Sequence, residues 1–92
     1  MHLSAHLRST AGQLAATVST NDADQTLPLP PKPTGPGSAV NGGELLLLAL
    51  ATCFCNDLYR EAAHRGLTLT SVAVDCHADF GAAGEPGRHF RY

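Results

Sequence analysis

Eleven consecutive residues, Leu45 to Cys55, carry no charged side chain and a single hydroxyl, that of Thr52. An apolar run without strand-like alternation, of this length, belongs on a helix enclosed by other protein. Its flanks mark both ends. Asn41 can cap the N-terminus and Glu44, three residues on, can reach back to it as in a capping box. At the far end Arg60, His64 and Arg65 set basic groups near the last carbonyls, and Gly66 can take the left-handed conformation that stops a helix. The expectation is one buried central helix over residues 41–66. It is too short to span a bilayer, which needs ~18 consecutive apolar residues, because Asn56, Asp57, Arg60 and Glu61 interrupt it.

At about 100° per residue, Leu46, Ala49, Leu50, Cys53, Asn56, Asp57, Arg60 and His64 share one side of this helix. Cys53 therefore sits where an apolar stripe turns polar, whereas Cys55 diverges from it by about 160°. A bond between the two would require broken helix. The spacing predicts one packed thiol, Cys55, and one available thiol, Cys53.

Little else in the chain can cover such a helix. A 92-residue chain buries only about 60–65% of its unfolded surface, and this one has three Phe, two Tyr and no Trp. The economical source of cover is a second copy, so a homodimer is expected. The net charge of −2 and pI near 6.1 give no basic stripe, which argues against nucleic acid as a partner. No basic and apolar leader follows Met1, so a cytoplasmic location is expected. There, three cysteines act as thiols rather than staples.

Ahead of the helix, residues 1–8 alternate Met1, Leu3, Ala5 and Leu7 with His2, Ser4, His6 and Arg8, the pattern of a half-buried strand. Residues 9–12 read as a turn, Leu14, Ala16 and Val18 as a second strand, residues 21–24 as another turn, and residues 26–29 as a short third strand. Residues 30–40 hold four prolines and two glycines, which exclude regular structure; they read as an ordered loop from sheet to helix. Past Gly66, alternation over residues 71–80 predicts a strand whose inner face holds Cys76, followed by a glycine-rich loop and a returning strand from His89. The fold class is α+β: an antiparallel β-meander over 1–29, a loop over 30–40, the central helix over 41–66, and a β-hairpin over 67–92. Its ending four residues into the last strand suggests a single domain truncated at its C-terminus.

The histidines and acids show no compact metal-ligand spacing, and neither a phosphate loop nor a dinucleotide fingerprint is present, so no metal and no cofactor is expected.

The helix with Cys53, the lead-in Pro30-Pro31-Lys32-Pro33 with Gly35-Pro36-Gly37-Ser38, and Asn41-Gly42-Gly43-Glu44 resemble the OsmC/Ohr family, in its OsmC-like branch. The resemblance implies an intertwined dimer with sheets wrapped around central helices. It also implies thiol-dependent reduction of organic hydroperoxides in oxidative stress defence. In such peroxidases a helix cysteine attacks the peroxide, a later cysteine resolves the sulfenic acid, and a dithiol reductant restores the thiol. Cys53 matches the first cysteine. No residue here matches the second, and Cys76 lies on a different element. The family's glutamate, ten residues before the reactive cysteine, corresponds to Gly43, while Glu44 projects away from Cys53 and is assigned to capping. For the family's early arginine this chain offers Arg8. A thiol attacks as thiolate, and the nearest cation on the Cys53 face, Arg60, is about 10 Å away along the axis. The alternative reading is a non-catalytic, truncated OsmC-like scaffold that binds a small apolar ligand or has no activity of its own.

Overall fold

A computed structural model describes all residues from Met1 to Tyr92. The order is three strands, one helix and two strands, the α+β arrangement the sequence predicts. The chain divides into two compact units, Met1–Asn41 and Gly42–Tyr92.

In the first unit, β1 (Leu3–Thr10), β2 (Gln13–Thr20) and β3 (Ala23–Leu27) form an antiparallel sheet in that order. Both connections have two residues, tighter than the four-residue turns expected. Thr10 pairs with Gln13 around Ala11-Gly12, and Gly12 at φ +73° supplies the positive φ that a type II-like turn requires. Thr20 pairs with Ala23 around Asn21 and Asp22, both left-handed at φ +47° and +68°, the form whose twist suits a hairpin. Short turns release residues to the ladders. This is why β1 runs to Thr10 and β3 begins at Ala23, earlier than the residues 26–29 assigned from the sequence, and stops before Pro28.

Register fixes the faces. Leu7 lies opposite Ala16, Ala5 opposite Val18, and Ala16 opposite Leu27, so these apolar residues share one face. Ala16 is the only buried residue of the unit, and β1 is exposed throughout. The half-burial expected of β1 is not met, because nothing in the unit lies over Leu3 and Leu7. The proline loop is ordered, as the sequence suggests. Pro31 and Ser38 form an antiparallel bridge, with Lys32 N donating to Gly37 O at 3.0 Å and Ala39 N to Pro30 O at 2.9 Å.

The second unit holds α1 (Gly42–His64) and the hairpin of β4 (His77–Phe80) and β5 (Gly87–Arg91). The helix begins directly after Asn41 and stops as its composition predicts. Leu67 N donates to Ala62 O at 2.8 Å and Gly66 N to Ala63 O at 3.2 Å, with Gly66 at φ +66°, the paired bonds of a Schellman motif. No helix is long and apolar enough to cross a membrane. Within its own unit the helix is not enclosed: of its 23 residues only Ala62 is buried, while Leu46, Leu48, Phe54, Leu58 and Tyr59 are exposed.

The strand expected over residues 71–80 contracts to β4. Val72, Val74, Cys76 and Ala78 do alternate in burial with their neighbours. β5, however, pairs no further along than His77, so the preceding residues have no ladder to join. Between His77 and Asp79 the register shifts, and the extra residue on β5 is accommodated by His89 at φ +53°. Phe80 and Phe90 meet edge to face at 6.3 Å.

Candidate functional site

The helical projection separates Cys53 from Cys55 in the right direction, although Cys55 is half-buried rather than packed. Cys53 is exposed, while Cys55 and Cys76 are half-buried, and none is in a disulfide. One turn towards the N-terminus from Cys53 lie Ala49 and Leu50; one turn beyond it lie Asn56 and Asp57. The thiol thus stands at the boundary between apolar and charged halves of one face.

The neighbouring groups are engaged with one another. Arg60 donates from Nη2 to Asp57 Oδ1 at 2.7 Å, with both side chains 62% exposed. The cation nearest Cys53 on this face is therefore held by a carboxylate of its own helix. Arg65 and Glu61 form a second surface pair at 3.3 Å. Thr52, the residue before Cys53, donates from Oγ1 to Leu48 O at 2.7 Å, the local bond by which a mid-helix threonine satisfies its hydroxyl. Phe54, the residue after it, stacks on Tyr92 with ring centroids 4.9 Å apart. The sequence reading missed Tyr92. A contact between residues so far apart in the chain leaves no periodic trace, and only the aromatic type of both residues hinted at it.

Arg8, the other site residue suggested by the sequence, lies on β1 in the first unit, where it borders a groove with Thr10, Gln13 and Pro31. Among the histidines, His89 Nδ1 lies 3.0 Å from Asp79 Oδ2, and Arg91 Nη1 lies 3.9 Å from the same oxygen. His, Cys, Asp and Glu side chains nowhere gather in a group of three that could hold a metal ion.

Chemically, the Cys53 surroundings offer one accessible sulfur, an apolar approach along Leu46 and Ala49, and a charged pair one to two turns on. Residues 35–91 match the family model described as OsmC-like protein, which is more than half of the chain. No curated protein and no solved structure matches it.

Proposed function

The chain belongs to the OsmC-like protein family, and from that premise we propose that it is a thiol-dependent redox protein, active as a homodimer, that reduces organic hydroperoxides through Cys53. The observation that carries the reading is the contrast between an accessible Cys53 and half-buried Cys55 and Cys76. In the proposed cycle, Cys53 Sγ attacks one peroxide oxygen as thiolate. The O–O bond breaks, the alkoxide leaves and takes a proton as alcohol, and the sulfur becomes sulfenic acid. An external dithiol then attacks that sulfur, releases water, and leaves as disulfide when its second thiol restores Cys53. No resolving cysteine of this chain is assigned.

The dimer is supported by surface. Of the 23 residues of α1 only Ala62 is buried, and Leu46, Leu48, Phe54, Leu58 and Tyr59 stay exposed. A second copy laid on this face would supply the apolar cover that the helix lacks.

One observation favours the second reading, a non-catalytic scaffold: Arg60, the nearest cation on the Cys53 face, is paired with Asp57. Turnover decides between them. The protein is mixed with an organic hydroperoxide and a dithiol, and peroxide loss is followed with Cys53→Ser alongside. Loss in the wild type that disappears in the variant supports the redox reading. Equal rates in both remove Cys53 from the mechanism, and no loss in either leaves the scaffold.

A further inference from the structure

We propose that the groove between the β1–β2 turn and the proline loop binds a small organic carboxylate with a short apolar body, held at its charged end by Arg8. The groove lies wholly in the first unit and has a volume of about 570 Å³, within the range of small-ligand sites. Its polar side chains are those of Arg8, Thr10 and Gln13, and its apolar walls are Ala15 and Pro31. Register explains the space. Arg8 pairs directly with Ala15, so a long side chain faces a methyl group across the ladder.

Charge explains the ligand. Arg60, Arg65 and Arg91 each have a partner within the chain; Arg8 and Arg88 have none, and of these two only Arg8 lines the groove. The only carboxylates of this unit are Asp22 and Asp24. Asp24 faces Ser19, four residues along β2 from Ala15 and so about 13 Å away, and it accepts the Ser19 hydroxyl. A guanidinium presents a planar fork that matches a carboxylate. The Thr10 hydroxyl and Gln13 amide supply neutral donors, as suits a singly charged ligand. Apolar walls would be left without contact by inorganic phosphate. The far wall is preformed, since Gly37 N donates to Ser9 Oγ at 3.3 Å and the bridge at Pro31 and Ser38 closes the loop. Less ordering cost then accompanies binding.

The test is a titration of the isotopically labelled full chain with octanoate, octanol and inorganic phosphate, read from backbone amide shifts. Octanoate should shift the amides of Arg8, Thr10, Gln13 and Ala15. Arg8→Gln should weaken it by about tenfold or more, the effect of one lost charge-assisted pair, with Arg8→Lys intermediate and the melting curves of both unchanged because Arg8 is exposed. Octanol and phosphate should bind at least about tenfold more weakly than octanoate. The groove does not depend on Cys53 chemistry, so Cys53→Ser should bind octanoate as the wild type does. Shifts centred elsewhere, equal binding of octanol or phosphate, or an undiminished Arg8→Gln would each overturn the proposal.

Discussion

The two units contrast in how far each satisfies its own sequence. The first places its backbone groups in two ladders joined by minimal turns, and exposes four large apolar side chains: Met1, Leu3, Leu7 and Leu27. The second satisfies its helix internally and caps it, yet leaves ten exposed, from Leu46 on the helix to Tyr92 beside it. Each unit buries a single alanine, Ala16 or Ala62. Hydrogen bonding is thus satisfied locally within the meander and within the helix, while the burial of apolar surface, the dominant favourable contribution to folding, is largely unmet in the second unit.

The most forceful way to break this contrast is to charge the helix. Leu48 is 62% exposed, and a surface substitution at such a site in a monomer changes stability by about 0.5 kcal/mol or less. If a second chain covers it, Leu48→Glu should weaken self-association by at least about 100-fold, because an unpaired charge is then buried. Sedimentation across a concentration series reads this directly; a wild type that stays at one-chain mass throughout would defeat the dimer. A smaller effect is expected at Gly87, where an added Cβ would lie 2.7 Å from Phe80 Cζ and 2.8 Å from Phe90 Cζ. Gly87→Ala should cost about 1–3 kcal/mol through overpacking, seen as a lowered Tm; an unchanged melt would mean that the aromatic pair contributes nothing to the hairpin. The smallest effect belongs to the helix stop. Gly66 is left-handed, and Gly66→Ala should cost about 1 kcal/mol, measured as lost helical signal on warming, with no change in Cys53 reactivity.

Those differences also explain which parts of the fold were legible in the sequence. Caps, stops and turns act over four or five residues, so the helix from Asn41 to Gly66 and the three-strand meander could be read from neighbouring residues. Helical projection separated Cys53 from Cys55 for the same reason. Strand length beyond β4 could not be read, because alternation over residues 71–80 records which side chains face inward and not whether another strand stands alongside. The Phe54–Tyr92 stack and the Arg8 groove join distant positions, and neither has a local signature. The pairing of Asp57 with Arg60 was visible as helix spacing, but its engagement of the one cation near Cys53 emerges only from the 2.7 Å geometry.

The two-residue turns of the meander also bear on the order of folding. Every pairing in that sheet closes a short segment of chain, so little loop entropy opposes it, and hairpins of this form zip up in about 1–10 μs. The meander is thus equipped to pair early, whereas closing short loops does nothing to cover Leu46 and Leu48 of the helix.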